Sequence, residues 1–150
     1  MNATFLEWHE PPRAIALSHH FRDGIDLRYH NLSFDWAGGG LVTTARDLVA
    51  FLHGLFECRL FGVSWLAEMT HWRRALQWRP RSSARYMAYG LGVGVNLAFG
   101  EEIMGATGVW GAFAYYWPRG SAAIAGTLNS VGADRAALMD ATIRTLSSAA

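Results

Sequence analysis

The stretch YGLGVGVNLAFGEEIMGATGVWGAFAYYWPRGSAAIAGTLN, residues 89–129, decides the fold class. Its β-branched and aromatic residues fall into four short runs, 89–99, 102–107, 112–117 and 122–129, separated by glycine or proline. Such side chains suit a pleated, half-buried surface, whereas proline lacks the amide proton that a ladder needs and glycine has no side chain to pack. The connections are too short to hold a crossover helix, so successive strands must run antiparallel. The stretch therefore predicts an antiparallel sheet of about three to four strands.

Helices are expected on both sides of it. Upstream, Thr44 is a good N-cap, Asp47 follows three residues later, and Leu48, Phe51, Leu52 and Leu55 recur at helical spacing. Ser64 is read as the cap of a second, short helix through Met69, and the arginine-rich residues 73–85 as a solvated loop. Downstream, residues 134–146 predict a closing helix in which Leu138, Ile143 and Leu146 face the sheet while Arg135, Asp140 and Arg144 stay in water. Residues 1–35 show little periodicity and carry Pro11, Pro12 and Gly24, which predicts a meandering segment laid over another surface. The fold class is α+β, with residues 1–150 forming a single unit.

Composition narrows the function. With 51% hydrophobic residues in 150, a sizeable core is available. Thirteen basic residues stand against twelve acidic ones, and no basic run is interleaved with aromatics, which argues against a nucleic-acid partner. Residues 1–10 carry no basic stretch followed by an apolar core, so no export leader is read and the default location is the cytoplasm. No apolar stretch reaches the ~20 residues that a bilayer requires.

Candidate metal ligands and nucleophiles are few. The six histidines, His9, His19, His20, His30, His53 and His71, show no His-Glu-x-x-His spacing, so no metal and no cofactor are expected. Cys58 is the lone cysteine and reads as a small apolar filler in a helical run. Gly38, Gly39 and Gly40 lack the following Lys-Ser/Thr of a phosphate cradle and read as scaffold. All thirteen basic residues are arginine, so the chain contains no lysine.

Several colinear pieces together resemble the penicillin-recognising serine hydrolases, the superfamily of class C β-lactamases, D,D-peptidases and related esterases. They are Phe34-Asp35-Trp36-Ala37-Gly38-Gly39-Gly40-Leu41 running into Thr43-Thr44-Ala45-Arg46-Asp47-Leu48, then Tyr89-Gly90-Leu91-Gly92, Gly105-Ala106-Thr107-Gly108, and Tyr116-Trp117-Pro118 leading to Gly126-Thr127-Leu128-Asn129. Met1-Asn2-Ala3-Thr4 also resembles the turn by which such enzymes leave their helical subdomain. The resemblance implies the C-terminal part of a serine β-lactamase/D,D-peptidase-like fold, a partial domain without the N-terminal nucleophile region.

That family's reaction needs a Ser-x-x-Lys pair, in which the amine one helical turn away takes the serine's proton. A chain without lysine cannot supply it, so no catalytic residue is assigned. Tyr29-His30-Asn31 fits the family's Tyr-x-Asn element by letters, but it follows the turn resembling Met1-Asn2-Ala3-Thr4 and is read as a surface turn before Phe34. The family's Lys-Thr-Gly or His-Thr-Gly element corresponds to Ala106-Thr107-Gly108. By resemblance, Thr107 would hydrogen-bond a substrate's carboxylate or carbonyl, Gly108 would leave room for it, and the Val109 N–H would be an oxyanion donor. Trp110 and Trp117 are expected to approach the cleft, and Gly38, Gly39 and Gly40 to border it. Alanine at 106 removes the family's cation or imidazole.

Two functions remain. One is the C-terminal part of a serine hydrolase, acting in the complete enzyme on a β-lactam, peptide or ester and inactive alone. The other is a non-catalytic binding module that keeps the cleft wall. The expected partners are a small acyl or peptide ligand, and a second polypeptide or copy pairing at the sheet edge formed by residues 122–129. In the resembling fold, two N-terminal strands lie beside that edge.

Overall fold

The computed structural model describes residues 3–6, 21–22, 25–26, 36–74, 87–108, 111–130 and 133–149. In chain order, the first elements are β1 (Phe5–Leu6), β2 (Phe21–Arg22), β3 (Ile25–Asp26), α1 (Trp36–Gly39), β4 (Leu41–Val42), α2 (Ala45–Phe56) and α3 (Val63–Met69). They are followed by β5 (Arg73–Arg74), β6 (Ala88–Tyr89), β7 (Gly94–Ala98), β8 (Glu101–Thr107), β9 (Ala112–Trp117), β10 (Ala122–Thr127) and α4 (Arg135–Ala149). The main sheet has the order β10-β9-β8-β7-β6-β5, all antiparallel, and β10 stands at one end of it.

The four long strands are those expected from the four runs, and two two-residue strands, β5 and β6, extend the sheet at the far side. The run 89–99 is broken after Tyr89. Gly90 comes so close to α3 that a Cβ there would lie 2.1 Å from the Met69 carbonyl oxygen, and Gly92 has φ +75°. The Leu91 N–H donates to that same Met69 oxygen at 2.9 Å, which ties the turn to the end of α3.

Side chains alternate between two layers, as the two-residue period of a strand requires. On one face Ala98, Ile103, Phe113, Tyr115 and Trp117 pack with Met139 and Ile143 of α4. On the other, Val93 and Tyr116 pack with Leu52, Leu55 and Phe56 of α2, with Met69, Met104 and Ala114 against them. Phe56 stacks on Tyr116 at 5.0 Å between ring centroids.

The Thr44 cap forms as expected: its Oγ1 accepts from the Asp47 N–H at 3.1 Å. Three helical details differ from expectation. Gly62, not Ser64, occupies the cap position of α3, with no side-chain capping bond. Cys58 lies beyond the end of α2 with φ +58°, in the left-handed turn that closes the helix, where the Cys58 N–H donates to the Leu55 oxygen at 3.2 Å. Arg135 is buried at 6% exposure, whereas Leu138 is 36% exposed. The i, i+4 row of Arg135, Met139 and Ile143 faces the sheet, and Leu138 sits about 100° around the helix from Met139.

Candidate functional site

Ala106, Thr107 and Gly108 occupy the end of β8 and the residue just beyond it, all half-buried. Thr107 is registered with Phe113 of β9, and the Gly108 N–H donates to the Ala112 oxygen at 2.8 Å. Gly111, at φ +87°, donates to the Gly108 oxygen at 3.2 Å, and its own oxygen accepts from Leu128 at 3.1 Å. The wall is therefore held at the mouth of the β8–β9 hairpin and tied to the end of β10. Pairing between β7 and β8 reaches only as far as Gly94 with Gly105, so β7 stops short of Ala106 and Thr107.

Gly105 is required by packing. A Cβ there would lie 2.0 Å from the Ala114 carbonyl oxygen. By strand alternation, Ala106 points to the same side as Met104, toward α2 and α3, and Thr107 to the side of Ile103. A methyl group thus stands where the resembling family places a proton-bearing or charged group, and the wall offers one hydroxyl and backbone amides. Such a surface can orient an amide, ester or carboxylate by hydrogen bonding. Residues 106–108 present no imidazole, amine or carboxylate beside that hydroxyl.

Val109 and Trp110 lie outside the described residues, as do Tyr29, His30 and Asn31. Trp117 does not approach the wall. It is 4% exposed, belongs to the α4-side core, and sits at the opposite end of β9, where its Nε1 donates to Glu101 Oε2 at 3.4 Å. A large apolar ring ending a strand between two helical layers lowers the free energy most inside the core.

Gly38, Gly39 and Gly40 lie outside the main sheet, beside the β1–β4 pair. Gly38 and Gly39 end the short helix α1, and Gly40 leads into β4, which pairs with β1. The Gly40 N–H donates to the Trp36 oxygen at 2.7 Å, and a Cβ at Gly40 would lie 2.6 Å from that oxygen, so only glycine fits. This small unit is fastened to α2 by Asp47, whose Oδ2 accepts from the Ala3 N–H at 2.9 Å and from Thr4 Oγ1 at 2.8 Å. The turn is closed on Trp36 and carried into the β1–β4 pair.

Among the described residues, no cluster of histidine, cysteine and carboxylates is arranged to hold a metal ion, and no helix is long and apolar enough to cross a membrane. Away from the wall, at the end of α2, His53 Nδ1 and Glu57 Oε1 lie 2.5 Å apart, and Arg59 reaches Glu57 Oε2 at 2.7 Å. The hydrogen bond from His53, with the Arg59 charge assisting, holds the exposed Glu57 carboxyl below the ordinary glutamate range.

Sequence reading missed a groove between α3 and the turn preceding β7. Its volume is about 390 Å³ and it is lined by Phe61, Trp65, Glu68, Met69 and Leu91. A seven-residue helix shows too few turns for a face to be read from periodicity, and the Gly-Leu-Gly turn carried only a family likeness.

An antiparallel sheet between helical layers, with Ala-Thr-Gly closing an interior strand, matches the penicillin-recognising serine hydrolase fold. The chain belongs to the β-lactamase family: the family model described as Beta-lactamase matches residues 1–147. Among solved structures, it is similar to D-amino acid amidase from Ochrobactrum anthropi SV3 complexed with D-phenylalanine. That likeness has a TM-score of 0.76 at 25% identity, over 99% of this chain and 49% of the other. A D-stereospecific amidohydrolase from Streptomyces sp. matches with a TM-score of 0.63 at 26% identity, over 86% of this chain and 39% of the other. The penicillin binding protein from Bacillus halodurans shares the fold, with a TM-score of 0.65 at 16% identity, over 95% of this chain and 44% of the other. No curated protein gives a significant match. The chain spans about half the length, or less, of these solved relatives.

Proposed function

We propose that residues 1–150 form the wall-bearing C-terminal part of a β-lactamase-related serine hydrolase domain, without the nucleophile region and inactive alone. What supports the reading is that the strand β8 ends in Ala106-Thr107 followed by Gly108, which resembles the family's Thr-Gly wall, while the chain contains no lysine for a Ser-x-x-Lys pair. In the complete enzyme Thr107, Gly108 and Val109 would position the carbonyl of an amide, ester or β-lactam, with Trp110 beside them and Gly38–Gly40 as scaffold. The attacking serine and its amine would come from the other part. The amidase and amidohydrolase likenesses favour an amide as the scissile group.

The partner on this reading is that other part, and its docking place is the β10 edge. β10 ends the sheet, none of its residues is fully buried, and its sequence Ala-Ala-Ile-Ala-Gly-Thr has neither the charge nor the proline that blunts a natural edge. A second copy of the chain would be the competing occupant of the same edge. Incubation with nitrocefin and with p-nitrophenyl butyrate tests the proposal, and background rates are expected for both. Turnover that survives Ser33→Ala and Ser64→Ala but disappears when Thr107 is changed would overturn it.

Ala106 favours a second reading, a non-catalytic module that binds acyl or peptide ligands at the same wall. Saturable binding of a β-lactam without acylation, by a chain that is monomeric and stable on its own, would support that reading over the first.

A further inference from the structure

We propose that Arg135, at the start of α4, is the cation of a buried carboxylate site, and that the carboxylate belongs to the polypeptide that completes this domain. The source of the carboxylate rests on the reading of the chain as one part of a domain; the site itself rests on the guanidinium.

Arg135 is 6% exposed, and among the described residues its Nε and Nη1 have no acceptor. A guanidinium stays charged in proteins, so its burial is not relieved by loss of a proton. A buried charge without a partner is strongly destabilising, and the group that best offsets it is a carboxylate, whose oxygens match guanidinium N–H donors. The two carboxylates nearest in sequence are engaged elsewhere. Asp134 Oδ1 accepts the Ala137 N–H at 3.0 Å, and Asp140 Oδ1 accepts the Phe99 N–H at 2.7 Å. Asn96 on β7, the strand on which α4 packs, has an Oδ1 that is also buried without a partner, but a neutral amide oxygen leaves the charge uncancelled.

The layer that holds Arg135 is open toward β10. Arg135 begins the sheet-facing row of Met139 and Ile143, and side chains in a helix lean back toward its N-terminal end. Ile124 of β10 and Leu128 just past it pack against the same cluster yet are only partly buried. A segment docked along β10 on this side would cover both and run beside the row that starts at Arg135. Arg135 lines neither the α3 groove nor the depression on α4 between Ala141 and Leu146. A closed position of this kind suits a carboxylate brought in by a neighbouring folded segment better than a ligand diffusing from solvent.

The test is equilibrium urea denaturation of the chain and of Arg135→Met in sodium formate, a bare carboxylate, in formamide, its neutral counterpart, and in sodium chloride at equal ionic strength. A ligand that binds only the folded state raises the midpoint by mass action. Formate is expected to raise the midpoint of the unaltered chain saturably above the chloride control. Formamide should not, and Arg135→Met should lose the shift. In the ¹⁵N-labelled chain, one arginine Nε–H signal, absent from Arg135→Met, should move over the same formate range. Arg135→Gln, which keeps hydrogen-bonding capacity without the charge, carries the same comparison should the methionine chain fail to fold. Benzoate, too bulky for a closed site, should produce no shift.

Formate acting no better than chloride, or equally on Arg135→Met, overturns the site and leaves the chain's reading as part of a domain standing. A lower midpoint for Arg135→Met without any formate response means that an acceptor within this chain already holds the guanidinium, and overturns the proposal. A saturable benzoate shift that depends on Arg135 overturns the polypeptide source and assigns the site to a free carboxylate. Turnover by the chain alone removes the completing polypeptide, and with it that source, while the formate response of Arg135 stays as expected.

Discussion

Asp47 joins two parts of the described structure through one carboxylate. Asp47 is 8% exposed; its backbone N–H is capped by Thr44 while Oδ2 receives the Ala3 N–H and the Thr4 hydroxyl. Hydrogen bonds to a buried charge are worth more than neutral ones, so Asp47→Ala should cost about 2–3 kcal/mol in urea denaturation. It should also speed hydrogen exchange at the Ala3 amide while sparing β8 and β9. The capping role was legible from Thr44 and Asp47 because it needs only local spacing; the bonds to Ala3 and Thr4 span more than forty residues and leave no local signal.

Arg135 is the converse case. Among the described residues its Nε and Nη1 are buried without a hydrogen-bond partner, and a desolvated donor costs free energy. Arg135→Met keeps the aliphatic packing and removes those donors, so it should raise the stability of this chain by about 1–3 kcal/mol. A lower denaturation midpoint for the methionine variant would mean that the guanidinium has a stabilising role in this chain. The sequence misplaced Arg135 because Ala136, Ala137, Leu138 and Met139 are all compatible with more than one helical phase, and arginine is normally assigned to water.

At the scale of elements, the strands were readable because the pattern of β-prone residues and punctuation survives without tertiary help, as in 102–107 and 112–117. The break after Tyr89 was not, since it depends on α3 lying beside Gly90, a contact invisible to any window of sequence. Close backbone approaches of this kind give firm predictions. Gly105→Ala sets a methyl group against the Ala114 oxygen, where the backbone of β9 must move to admit it. Overpacking of this kind costs about 1–3 kcal/mol. The loss should appear in thermal unfolding, with exchange protection falling first in β8 and β9.

At the scale of the molecule, the two helical layers cover the sheet unequally. α2 packs over β9 and β10 and α4 packs on β7, while β10 stays partly exposed at the sheet's end. The family likeness explains that asymmetry if further strands belong beside β10, which is why the chain is read as part of a domain rather than as a complete enzyme. The proposed role, a wall that orients a carbonyl group in a chain without an activated serine, is a chemical one. Intact-mass spectrometry after incubation with an alkyl fluorophosphonate, which tags activated serines, tests it most directly. The account predicts an unchanged mass. A stoichiometric adduct on one serine, abolished by prior unfolding, would contradict it.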